Sequence, residues 1–74
     1  MNEQELRAVL GALIRSHREA LPMTQEAFAD SIRMHRAYYS SIERGKKTPT
    51  VTTLKRVADG LGIRVSELLK DAGI

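Results

Sequence analysis

Residues 24–45 read TQEAFADSIRMHRAYYSSIERG, and this stretch decides the fold. Thr24 is a good helix N-cap, and Gln25 and Glu26 behind it are polar and acidic groups that suit the positive end of a helix dipole. A helix over about Gln25–Ser31 then buries Ala27 or Phe28 together with Ile32. The pattern breaks at Arg33-Met34 and resumes as a third helix of the chain, about Arg36–Arg44. Gly45 stops that helix, because glycine enters the left-handed conformation of a helix C-terminus without steric cost. Two short helices joined by a tight turn are therefore expected at the centre of the chain.

The second of these helices has two unlike faces. At about 100° per residue, Tyr39 and Ile42 point one way, flanked by Tyr38 and Glu43. Arg36, Ala37, Ser40, Ser41 and Arg44 point the other way. An ordinary solvated face mixes glutamate with lysine, but this outer face is small or basic and holds no acid. Short side chains flanked by arginines can enter a major groove and hydrogen-bond base edges and phosphates. The arginine fork suits the O6 and N7 acceptors of guanine.

Working outward, Leu6, Val9, Leu10, Leu13 and Ile14 fall at helical spacing, and Pro22 follows Leu21, so helix 1 runs from about Glu3 to Ala20. On the other side, Lys46-Lys47-Thr48-Pro49 is a loop and Thr50 caps helix 4. Val51, Leu54, Val57, Ala58 and Leu61 line one side of that helix before Gly62 ends it. Helix 5 starts near Val65 and carries Leu68 and Leu69, with Arg64 standing where a capping residue is expected. Strand-like runs are absent, so the fold class is all-α: a compact five-helix domain spanning residues 1–74 as a single unit.

Composition narrows the function. Between Arg33 and Lys47 stand five Lys/Arg and one acid, Glu43, a local charge of +4 in a chain whose formal charge is +3. The remaining residues carry seven Lys/Arg and eight Asp/Glu, a net of −1. A basic patch on a neutral body is the footprint of a polyanion binder. There is no cysteine, so disulfides and thiolate-metal sites are excluded. His17 and His35 lie on different elements with no metal-ligand spacing, and no acid is placed to orient an imidazole beside Ser40 or Ser41. Neither a metal, a cofactor nor an enzyme activity is expected, nor a small-molecule ligand. The polar opening Met1–Glu5 and the lack of a long apolar run point to a cytoplasmic protein without a membrane span.

From Thr24-Gln25-Glu26-Ala27-Phe28-Ala29 through Ile42-Glu43-Arg44-Gly45, the chain resembles the helix-turn-helix of the lambda-repressor/Cro-like (XRE) family, whose pattern is T-Q-E-x-L-A, a turn, then S-x-x-Y-I-S-x-I-E-R-G. The likeness continues through Lys46-Lys47-Thr48-Pro49-Thr50, Leu54, Ala58, Leu61-Gly62-Ile63 and Glu67-Leu68-Leu69. The resemblance implies that Ala29 lets helices 2 and 3 approach, that Tyr39 and Ile42 are buried, and that Arg18 and Glu43 form a structural pair between helices 1 and 3. It implies a phosphate contact for Gln25, base-facing positions at His35, Arg36, Ala37 and Ser41 with Ser40 and Arg44 nearby, and backbone contacts for Lys46 and Lys47. With Thr24 and Tyr38, these residues make up the candidate DNA-binding set.

Three positions depart from the pattern: Arg33 stands where the family prefers glycine, Tyr39 replaces an aliphatic residue, and His35 stands at the usual Ser/Thr cap. A left-handed arginine would cost about 1 kcal/mol. Residues 35–45 are especially similar to the controller proteins of restriction-modification systems. The expected function is therefore that of a transcriptional regulator, a homodimer on a pseudo-palindromic double-stranded DNA operator, with RNA polymerase a further partner the resemblance admits. The expected dimer interface is Val65, Leu68, Leu69 and Ile74, apolar groups in excess of what five short helices can bury. The rival is the same fold serving as a protein-interaction adaptor or antitoxin, which would favour exposed apolar anchors on helix 3 over Arg36, Ser40 and Arg44.

Overall fold

The structure is a computed structural model describing every residue from Met1 to Ile74. Five helices follow one another: α1 (Glu3–Ala20), α2 (Gln25–Ser31), α3 (Arg36–Glu43), α4 (Val51–Leu61) and α5 (Val65–Asp71). Their starts are fixed by side chains that satisfy otherwise orphaned amides. Asn2 Oδ1 accepts from the Glu5 amide at 2.8 Å, Thr24 Oγ1 from Ala27 at 3.0 Å, and Thr50 Oγ1 from Thr53 at 3.1 Å. His35 fills the same role for α3, its Nδ1 accepting from Ala37 at 3.3 Å. Arg64 has no acceptor to offer, and α5 is held instead by Glu67, whose Oε1 accepts from the Arg64 amide at 3.2 Å.

The turn between α2 and α3 forms in spite of its residue. Arg33 sits at φ +55°, and the Met34 amide reaches back to the Ala29 carbonyl at 2.9 Å. This is the helix-ending arrangement glycine normally makes, with Met34 buried behind it as the accompanying apolar contact. The end of α3 repeats it with the expected residue: Gly45 lies at φ +70°, and the Lys46 amide bonds the Ser41 carbonyl at 2.8 Å.

The core draws on all five helices, through Ile14, Phe28, Tyr39, Ile42, Val57 and Leu68, each almost wholly buried. Phe28 is the inward residue of α2 and Ala27 is exposed. The rings of Phe28 and Tyr39 lie 5.1 Å apart and tilted by 48°, a favourable aromatic pairing between α2 and α3. α1 packs against the C-terminal end of α3 through Gly11, where an added Cβ would fall 2.5 Å from the carbonyl oxygens of Ile42 and Glu43.

Two expectations are corrected here. Val51 does not line the core: it is 80% exposed, because the first residue of α4 precedes the turn that faces inward. Leu68 is not available to a dimer interface, being 0% exposed. In the short α5 it is the residue that anchors the helix to the core, with Val65 and Leu69 half-buried beside it.

Candidate nucleic-acid interface

Side chains of α3 and the start of α2 border a shallow depression of about 430 Å³, lined by Gln25, His35, Arg36, Ala37, Ser40 and Arg44. Local chemistry explains its form. Ala37 and Ser40 keep the floor low, Arg36 opens α3 and Arg44 caps its far end, and His35 is held at the rim by its capping bond. Lys46 and Lys47 are exposed on the loop that follows. That loop is tied to α1, since Arg7 Nε donates to the Gly45 carbonyl at 3.3 Å and Thr48 Oγ1 bonds Glu3 Oε2 at 3.1 Å.

The remaining candidates are placed differently. Ser41 was expected outward with the base-facing positions, but it is buried and its hydroxyl donates to the Tyr38 carbonyl at 2.6 Å. On the wheel Ser41 sits at the edge of the outer side next to Tyr38, and its hydroxyl turns back to the helix's own backbone instead of outward. Tyr38 packs partly against the core, and the Thr24 hydroxyl is occupied by its capping bond although the residue is exposed. Gln25 lines the depression, but one amide hydrogen is already committed: Nε2 donates to Glu43 Oε1 at 2.9 Å.

Beneath the depression lies a buried ion pair. Arg18 grips Glu43 by two bonds, Nε to Oε2 at 2.7 Å and Nη2 to Oε1 at 3.1 Å, with side-chain exposures of 9% and 1%. The third arm of the guanidinium, Nη1, donates to the Met23 carbonyl at 2.6 Å and so fixes the α1–α2 connection. The Tyr39 hydroxyl also donates to Glu43, which meets the requirement that its buried phenol find a partner. Burial pushes the Glu43 carboxyl up, but the bonds from Arg18, Tyr39 and Gln25 outweigh it and hold the group below the usual carboxylate range. Burial and the donation to Glu43 both raise the Tyr39 phenol, and the bond to Glu43 raises Arg18 against its own burial. The network therefore holds fixed opposite charges that join α1, α2 and α3 behind the depression.

One neighbour of the site went unnoticed in the sequence. Glu26 of α2 reaches across the turn to Arg36, with Oε2 3.5 Å from Nη1. The two are ten residues apart, and no helical spacing signals their contact.

The family profile described as helix-turn-helix matches residues 14–68. The chain belongs to the XRE-type helix-turn-helix family. Among its relatives, the control protein C.MunI of a Mycoplasma species is 42% identical over 59 residues, 80% of each chain. The helix-turn-helix arrangement also superposes on the clp gene regulator ClgR from C. glutamicum with a TM-score of 0.86 at 35% identity, over 92% of this chain and 87% of that one. It matches the restriction-modification controller protein C.Esp1396I, solved as a tetramer with its natural 35 base-pair operator, with a TM-score of 0.79 at 27% identity. That match covers 93% of this chain and 96% of the controller. No helix is long and apolar enough to cross a membrane.

Proposed function

We propose that the protein is a sequence-specific reader of double-stranded DNA that acts as a homodimer and regulates transcription, with restriction-modification genes as the set it controls. The observation that carries this reading is the outward face of α3, where Arg36 and Arg44 flank the small residues Ala37 and Ser40 around an open depression with no acid of α3 on it. Such a face admits the edge of a duplex, places arginine forks at base height, and leaves Lys46 and Lys47 for phosphates. The likeness to C.MunI and to the operator-bound C.Esp1396I supports both the regulatory role and the choice of genes.

A domain this small makes few base contacts, so two copies are needed to specify a site. The seam falls to Val65, Leu69 and Ile74, the last 66% exposed, since Leu68 belongs to the core. Catalysis plays no part in this reading. The protein would act in the cytoplasm on the DNA there, and its occupancy would be read out by RNA polymerase.

The test is selection from a random duplex library at physiological salt, followed by titration of the best site with wild type and Arg36→Ala. We expect an inverted repeat with half-sites about one helical turn apart. Arg36→Ala should weaken the selected site more than random duplex, by about 1 to 3 kcal/mol. No enrichment, or equal loss on both duplexes, removes the base-reading assignment and favours a protein-binding adaptor.

A further inference from the structure

We propose that Glu26 is a positioning residue for Arg36, buttressing its guanidinium so that the side chain reads guanine rather than being captured by phosphate. This rests on the DNA-reading function proposed above and assigns to it a determinant outside α3. α2 contains no basic residue, and Glu26 is exposed beside an arginine that borders the depression. On a polyanion-binding face an acid weakens every complex unless it does something in the specific one.

The geometry supplies that role. Both side chains are open to solvent, with exposures of 63% for Arg36 and 65% for Glu26, and both backbones are anchored. Thr24 caps the first turn of α2, and Gln25, next to Glu26, is tied to the buried Glu43 at 2.9 Å. Arg36 follows the His35 cap, with the Tyr39 amide bonded to the His35 carbonyl at 2.9 Å. The carboxylate thus approaches the guanidinium from a fixed side.

Arginine offers five N–H donors, and guanine O6 and N7 take only two. A second edge remains free for Glu26, so guanine reading and the Glu26 contact are compatible. Phosphate binding is not equally compatible, because a phosphate anion brought to Arg36 meets the carboxylate as a like charge. Glu26 should therefore lower affinity for arbitrary DNA while raising discrimination at one base pair.

The experiment compares wild type, E26Q, R36A and the double variant. Each is titrated against the selected site, the same site with the Arg36-dependent guanine replaced, and random duplex. Because both side chains are exposed, circular dichroism should show all four proteins folded alike. We expect E26Q to bind random duplex about threefold more tightly, as removal of one anion allows. Its preference for the guanine should fall by about two- to fivefold, as loss of an exposed ion pair allows, and in the R36A background E26Q should leave the preference unchanged. If E26Q tightens all three duplexes by one factor and keeps the guanine preference, the proposal is overturned while the DNA-reading function stands. If wild type itself selects no sequence, the function falls and this inference with it.

Discussion

Arg18→Met removes the positive half of the buried pair while keeping much of the side-chain volume, and its effect should change with pH in a defined direction. In the wild type the Glu43 carboxyl lies below its ordinary value, because the bonds from Arg18, Tyr39 and Gln25 outweigh burial. A depressed folded-state value contributes stability that is present above the unfolded value, near 4.5, and lost as pH falls through the folded one. Without Arg18, burial faces only Tyr39 and Gln25, and the carboxyl should move above its ordinary value. A raised value reverses the sign: its favourable contribution is complete below the unfolded value and disappears as pH rises through the folded one. Removing one partner of a buried pair costs about 3 to 5 kcal/mol, because the other charge is left uncompensated. A chain of this length has about 4 to 11 kcal/mol of stability in all. At neutral pH the variant should therefore lose a large share of its stability, and the deficit should shrink as pH is lowered towards 4. Urea unfolding followed by circular dichroism at 10 °C, from pH 4 to 8, measures the difference directly. A loss below about 1 kcal/mol at pH 7, or one that is constant with pH, would refute the assignment of a compensated buried charge.

Three further perturbations address the turn, the helix crossing and the loop. Arg33→Gly relieves the left-handed arginine at φ +55° and should raise the unfolding free energy by up to about 1 kcal/mol; a lower melting temperature would mean the Arg33 side chain makes a contact of greater worth. Gly11→Ala puts a methyl 2.5 Å from two α3 carbonyl oxygens and should cost about 1 to 3 kcal/mol, with DNA affinity falling as α3 is displaced; a thermal scan and a titration at the same temperature check both. Lys46→Ala and Lys47→Ala should each reduce the slope of log affinity against log salt by about 0.9, with sequence preference unchanged, and a slope identical to wild type would remove that lysine from the phosphate contacts.

The helices were legible because their signals are local. Thr24 and Thr50 cap, Gly45 and Gly62 end, and the apolar spacing of α1 and α4 needs no knowledge of the partner helix. The structural pair Arg18–Glu43 came from family resemblance, and nothing in its spacing of 25 residues would have revealed it. What failed was exposure. Ser41 is placed on the outer side of an isolated α3 but is buried, its hydroxyl bonded to the Tyr38 carbonyl; Leu68 is counted among apolar groups in excess of the core but is claimed by the core of the monomer. A period gives the direction of a side chain along its own helix, and a tally of apolar residues gives their number; neither says which of them the packed monomer buries.

The same distinction changes the electrostatics of the site. Arg33, Arg36, Arg44, Lys46 and Lys47 are all exposed, and Glu43 is the acid that accompanies them in the sequence. In the folded protein Glu43 faces inward and its charge is cancelled by Arg18, so it subtracts nothing from the field on the DNA-facing side. An exposed acid that does contact one of these cations is Glu26, carried in from α2 to within 3.5 Å of Arg36. The acid that bears on the exposed cations is therefore not the one beside them in the sequence, but one that α2 brings to the leading arginine. A buried, compensated carboxylate can only hold the reading helix in place. On the proposed reading, an exposed one next to Arg36 acts on the choice between guanine and phosphate, so that folding uses one glutamate to fix α3 and leaves the other where it would bear on selectivity.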